Sequence, residues 1–429
     1  MPVTSSGAVT LDEIHVEAGG STGSSCTIND ADIRALIDKS DGATMAFNEW
    51  YGATASLDQD SGTATSFGIN STNFKYISTT FDSNSNKVVI VYYYLNKAYA
   101  IVATPAADLS ITFGSAVQID STNIEYAGTM DVVFDSNSNK VVVIYGLGGA
   151  SSYGGRAIVG TVSGTSISFG SATDFANSGV GGGVQCVFDS NSNKVVVCWA
   201  NTSSSSAGTA IVGTVSGTSI SFGSAATWGF KSGQGIRPVF DSNSNKVVVF
   251  AEDGSPGVDA AKAVVGTVSS TDISFGTPVQ VGSAAENISS GSSGAVFDSN
   301  SNKAIYFFKD VSDSNKGKAI VGTVSGTSIS FGSLATFDSG TMNNFSRKGA
   351  FDTNVNKVVY SYDTSSDGTK AVVGTVSGTS ISFGSPITVN SSGVDNYVHS
   401  TFDSNLNKVV IAFKDNSKEG RAIVFQNAD

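Results

Sequence analysis

Phe81-Asp82-Ser83-Asn84-Ser85-Asn86-Lys87 recurs unchanged from Phe134, Phe188, Phe240 and Phe297, and returns as FDTNVNK at Phe351 and FDSNLNK at Phe402. The seven copies stand 53, 54, 52, 57, 54 and 51 residues apart. A second string, VGTVSGTSISFGS, starts at Val159, Val212, Val321 and Val373, with looser copies at Val102 and Val265. A fixed period of this size marks a repeat architecture, in which each unit buries its core against the next.

Each repeat reads as four strands. In the second, strand A is Asp131 to Asp135, and the Ser- and Asn-rich turn after it reverses the chain through side chains that bond their own backbone. Strand B, Lys140 to Tyr145, is apolar almost throughout, as a strand stacked between two other sheets must be. Strand C is Ala157 to Val162, and strand D, Ser166 to Gly170, alternates as a half-exposed edge does. A solenoid has shorter rungs, and a string of sandwiches needs about twice the residues per unit. The pattern predicts an all-β, seven-bladed β-propeller of four-stranded antiparallel blades over residues 61–429, preceded by a small α+β module over residues 1–60.

The seventh repeat supplies strands A (Ser400 to Phe402), B (Lys408 to Phe413) and C (Arg421 to Phe425), but no SISFG segment follows. Thr65-Ser66-Phe67-Gly68 stands ahead of the first repeat and resembles that segment. The expectation is that it pairs with Arg421 to Phe425 and closes the ring, removing an open sheet edge.

Alternating strands put the A–B and C–D turns on one face of the disc and the B–C and D–A loops on the other. The turns hardly vary between repeats. The B–C loops differ in every one, from Tyr94-Leu95-Asn96 to Asp415–Gly420, and so do D–A loops such as Asn177–Gly183 and Thr341–Lys348. Loops on a rigid scaffold are where recognition sits. The aromatic and polar residues Tyr94, Tyr153, Trp228, Phe230, Asn343, Phe345 and Tyr397 are the candidate receptor-binding set, although a large aromatic after strand D, Trp228 above all, also suits packing between blades.

The net charge is −12, with 36 acids against 24 bases and no basic stripe, which argues against binding nucleic acid. No apolar run approaches the roughly 18 residues that span a bilayer, and no secretory signal is visible at Met1. Cys186 and Cys198 flank one hairpin turn, and two buried thiols fit better than a bridge. DSNSNK offers oxygens at its first, third and fifth residues, as calcium loops do, but lacks the following glycine and closing carboxylate; an Asx turn explains the same residues, so no metal or cofactor is expected. His15 and His399 are the only histidines, and Arg156, Arg237, Arg347 and Arg421 fall in four different repeats. The densest acid pair in the variable loops is Glu252-Asp253. No nucleophile, metalloprotease or phosphate-loop motif is present, so the chain reads as a non-enzyme.

In the N-terminal module, Thr10-Leu11-Asp12-Glu13 is a capping-box start for a short helix through Ile14, and a second helix is expected over Asp30 to Lys39, with Ile33, Leu36 and Ile37 on one face. Met45, Phe47, Trp50 and Tyr51 form its candidate docking patch.

NDADIRALIDKSDGATMAFNEWYGA, with its Phe47-Asn48-Glu49-Trp50-Tyr51-Gly52 ending, resembles a small module found near the ends of structural proteins of tailed phages, especially those of marine bacteria. The FDSNSNK…AIVGTVSGTSISFGS repeats resemble arrays common in the same proteins. The resemblance implies a virion protein, present in several copies, attached to other virion proteins through its N-terminal module. It implies a tail fibre or tail-attached adhesin recognising a host-surface glycan or protein. The alternatives are a capsid or neck decoration protein and a glycan-degrading tailspike. The resemblance carries over no catalytic residue.

Overall fold

A computed structural model describes residues 60–427, apart from 123, 125–129, 149–152, 182, 234, 256–259, 283–287, 365–367 and 392–393, together with Thr10, Leu11, Ile14, His15 and Ile33. The chain divides into two compact units, Ser61–Gln426 and Met1–Asp60 with Asn427–Asp429. In the smaller unit Leu11, Ile14, His15 and Ile33 are helical, and the Ile14 N–H donates to Thr10 O at 3.2 Å. The docking patch Met45, Phe47, Trp50 and Tyr51, with Leu36 and Ile37, lies outside the described residues.

The larger unit is a seven-bladed propeller, one antiparallel sheet per repeat. In blade two, strand A is Met130–Asp135, strand B Lys140–Gly146 and strand C Gly155–Ser163. Strand B is buried on both faces because its side chains alternate between neighbours. Val141, Val143 and Tyr145 enter the core shared with blade one, while Val142 and Ile144 enter the core shared with blade three. Seven such cores, one at each joint, hold the ring together. Cys186 and Cys198 illustrate the same alternation. Cys186 is paired with Val197 and not with Cys198, so the two free, buried thiols belong to different cores.

The outer strand departs from the expected single piece. In blade two it is broken into Ser166–Phe169 and Thr173–Ala176, which pair with successive halves of strand C. The break falls at Gly170, where a Cβ would overlap the carbonyl oxygen of Thr218 in the C–D turn of blade three. Gly114, Gly223, Gly276 and Gly332 meet the next blade's turn in the same way. The strand breaks so that its backbone can lie directly on the neighbouring turn, and only glycine fits.

This two-piece strand also corrects the register of the closure. Thr65–Asn70 pairs with the last strand, Glu419–Gln426, as expected, with Thr65 opposite Ala422 and Ser66 opposite Arg421. Thr65-Ser66-Phe67, however, occupies the place of Thr173-Asp174-Phe175 and not that of SISFG. Phe67 lies over Gly420 as Phe175 lies over Gly155. The SISFG equivalent is Asp60–Ser61, also paired with the last strand, followed by Gly62, which donates to Val424 O at 2.9 Å and meets Leu109 of blade one. Ser66-Phe67-Gly68 carries the SFG letters of the first half, whereas the first half itself reads Asp60-Ser61-Gly62.

The repeated turns are set by backbone needs. In every blade the Asp of DSNSNK accepts two backbone N–H bonds across the turn, as Asp82 Oδ1 does from Asn84 and Ser85, each at 3.0 Å. The final Asn, Asn86 in blade one, is left-handed in all seven turns. The Asp and the final Asn thus each serve the turn's own backbone.

Candidate functional site

The loop face carries the exposed apolar side chains. Leu95, Tyr153 and Val311 are the large hydrophobic residues that lie exposed among those described, and all three sit in B–C loops. The face is also uneven around the axis. Strand A is short in blades two to four but long in blades five (Ile288–Asp298), seven (Val394–Asp403) and one (Phe74–Asp82), where register shifts bend its loop-face end. A bulge of this kind re-aims side chains.

At the bulge in blade one, Tyr76 is held at φ +52°, a conformation that costs a bulky residue energy. There it meets Tyr397 of blade seven edge-to-face at 5.0 Å and Tyr93 at 6.0 Å. The Tyr93 hydroxyl donates to Asn96 in the B–C loop beside exposed Leu95. Three half-buried tyrosines next to an exposed apolar loop make a stacking platform with polar edges, the chemistry suited to a sugar ring or a peptide aromatic.

Charged clamps fasten this face between blades. Asp120, at the end of blade one, accepts from Tyr145 Oη at 2.7 Å and Arg156 Nη1 at 3.0 Å of blade two. Burial opposes its charge, but these bonds and those from Thr122 hold the carboxyl down at about 2. Asp338 repeats the device at the next-but-three joint, accepting from Tyr362 Oη at 2.8 Å and facing Lys370 Nζ at 3.5 Å. Within blade seven, Arg421 pairs with Asp415 at 2.7 Å and with Glu419.

The central channel is closed by buried polar groups from several blades. Asp131 is fully buried. It accepts from Ser78 Oγ at 2.7 Å, the Cys186 N–H at 2.8 Å and Lys348 Nζ at 2.7 Å. Burial opposes its ionisation, but Lys348, with the Cys186 N–H, keeps it below the ordinary carboxylate value. Lys348 reaches the axis because strand A of blade six is interrupted between Met342–Phe345 and Ala350–Asp352, and the intervening segment bonds blade five, Gly349 N–H to Ala295 O at 3.0 Å. His399 Nδ1 accepts the Thr79 N–H at 3.2 Å, and burial together with Lys348 depresses its pKa to about 3, so the ring is neutral. Arg237 is buried and Arg347, distant in sequence, is half-buried. Burial and then Arg347 pull Arg237 down to about 10. Arg237 donates to Ser293 O at 2.6 Å and Ile236 O at 2.8 Å.

The residues singled out in the sequence separate accordingly. Tyr153 and Asn343 are exposed on the loop face, and Tyr397 belongs to the tyrosine platform. Tyr94 is half-buried against Tyr99, and Phe230 lies beneath Lys262 Nζ at 5.5 Å. Trp228 is buried over Gly208 with Nε1 donating to Ser232 Oγ at 3.0 Å, so it packs a joint and presents nothing to a partner. The side chain of Phe345 is outside the described residues. Asp253 of the acid pair is tied to Lys262 at 2.7 Å, while Glu252 is buried. Tyr76, Tyr93, Leu95 and Val311 were missed, Tyr76 because nothing in its local sequence announces the bulge.

No family model matches the chain, and no curated protein does. Solved structures of similar fold include the BP39L lectin of Burkholderia pseudomallei, 10% identical over 83% of this chain and 97% of that chain at a TM-score of 0.62. They also include a protein from Lactobacillus plantarum, 14% identical over 73% and 85% at 0.53. A chain from the mitotic checkpoint complex is 9% identical over 90% and 99% at 0.50. What this chain shares with them is the architecture of a β-propeller, here of seven four-stranded blades.

Proposed function

We propose that this chain is a structural protein of a tailed-phage particle, a tail fibre or tail-attached adhesin. Residues 1–60 bind other virion proteins, and the propeller's loop face engages a host-surface glycan or protein. It acts by binding and carries out no chemical step. The observation that supports this reading is a polarity. Ser61 and Gln426, the two ends of the propeller unit, lie at the turn-face end of blade seven, whereas Leu95, Tyr153, Val311 and the tyrosine platform lie at the loop-face ends of their strands. The chain therefore enters and leaves the disc on one face and exposes apolar side chains on the other. The sequence resemblance of the N-terminal module and the repeats supplies the particle.

The test compares two sets of virions. One carries Leu95→Ser, Tyr153→Ser and Val311→Ser; the other carries Ser83→Lys, Ser136→Lys and Ser242→Lys on the turn face. Adsorption to host cells should fall at least about tenfold in the first set only, as loss of anchor contacts implies. Loss confined to the second set reverses the faces. Loss in neither leaves a capsid or neck decoration, and cleavage of host polysaccharide by the purified protein makes it a tailspike.

A further inference from the structure

The turn face holds a cavity of about 530 Å³ on the propeller axis, above the polar groups that close the channel. Its wall is a ring of repeated side chains, Phe81, Phe134, Phe240, Phe297, Phe351 and Phe402, each wedged at a joint between blades, all but the buried Phe134 partly uncovered. The lining breaks this symmetry at one point. Lys348, three residues deeper than Phe351, is the one charged side chain among the lining residues. It is the interruption of blade six that puts it there.

Lys348 Nζ reaches both oxygens of Asp131, at 2.7 and 2.9 Å, yet its side chain still lines the cavity. Asp131 lies outside the lining and also accepts from Ser78 Oγ, the Cys186 N–H and its neighbour's N–H, Val132, at 2.9 Å. Apart from Asp131, the Lys348 ammonium has only Val132 O, at 3.5 Å, and its side chain is 21% exposed. The hydroxyl-bearing Ser400, Thr401 and Thr79 line the same cavity.

An apolar well with one cation at its base is complementary to an apolar chain or ring ending in a single negative charge. We propose that this cavity binds an apolar monocarboxylate, its hydrocarbon part within the phenylalanine ring and its carboxylate on Lys348. A chain of ten carbons fits within this volume with room to spare. The loop face plays no part in this site.

The probe is decanoate, titrated against the full chain by calorimetry and native mass spectrometry, with 1-decanol and decylammonium as comparators. Decanoate should bind once per chain, decanol about tenfold more weakly or worse, and decylammonium undetectably, since a charge-assisted bond is worth about tenfold or more. Thr401→Trp fills the cavity without touching the ion pair and should abolish decanoate binding. The double variant Asp131→Asn/Lys348→Met removes the pair together, avoiding a lone buried carboxylate, and should bind decanoate and decanol alike. Thermal melts verify that each variant is folded, and Thr401→Ser serves as a folded control if Thr401→Trp melts early. Equal affinity for decanoate and decanol in the unaltered chain, binding undiminished in folded Thr401→Trp, or no saturable binding would each overturn the proposal.

Discussion

Two kinds of residue decide how this ring is made. The first is glycine at the break of each outer strand. Gly170 and Gly223 lie on the next blade's turn, so Gly223→Ala should destabilise the propeller by about 2 kcal/mol, the usual cost of forcing atoms into a packed joint. Gly384 is the exception. Blade seven has no continuous C–D turn, and among the described residues the nearest atom to a Cβ there is Val373 O at 3.9 Å. Gly384→Ala should therefore be near neutral, and paired denaturant melts of the two variants check the contrast. The second is His399, whose Nδ1 accepts the Thr79 N–H and so must remain unprotonated. The folded chain refuses the proton down to about pH 3, whereas the unfolded chain takes it near 6.5. Its contribution is thus complete above pH 6.5 and is lost as pH falls through that window, by up to about 1.4 kcal/mol per unit. His399→Gln should flatten the stability profile between pH 6.5 and 4. If the slope survives the substitution, another buried group carries it. The glycines and the turn Asp and Asn were legible as residues in the repeat. The histidine was not, because its partners are 320 residues away in sequence.

Among elements, the closing strand is the one on which the rest depends. Phe67 meets Phe74, Tyr92 and Phe113 at 5.7, 5.8 and 5.6 Å, binding the last blade to the first. Phe67→Ala should cost about 3–5 kcal/mol, the range for a buried phenylalanine. Hydrogen exchange should quicken first in Glu419–Gln426, the strand it covers. Protection lost evenly over all blades would mean that the ring opens as one unit. Strand number, order and the existence of the closure were readable because alternation, turn residues and the period all agree. The closure's register was not, because two short segments of one broken strand look alike in sequence and differ only in which half of strand C they face. The interruption of blade six was hidden for a related reason. Ser346-Arg347-Lys348-Gly349 reads as ordinary loop, and only the ring brings it beside Ala295 and Asp131.

For the whole molecule, the sequence already separated the two faces, as uniform turns on one and variable loops on the other. Which variable residues point outward was not legible. Trp228 and Tyr153 are both loop-face aromatics, yet a glycine opposite one of them creates a slot that buries it. A chain starting at Ser61 should fold with the melting curve of the full propeller and fail to enter virions. Its incorporation would move the anchor into the disc. The closure has a mechanical consequence for a protein tethered at Ser61 and gripped at its loops. Tension then runs along residues 61–70 and the last strand beside them, parallel to both. The bonds at Gly62, Thr65, Ser66 and Asn70 are loaded in shear, all at once, where a strand pulled sideways would peel bond by bond. Thr65 and Ala422 are directly opposed, so cysteines placed there can form a disulfide across the seam. Pulled between a Ser61 handle and a Tyr153 handle, the oxidised form should rupture at higher force than the reduced form. Equal forces would show that the load travels by another route and that the seam is never the first part to yield.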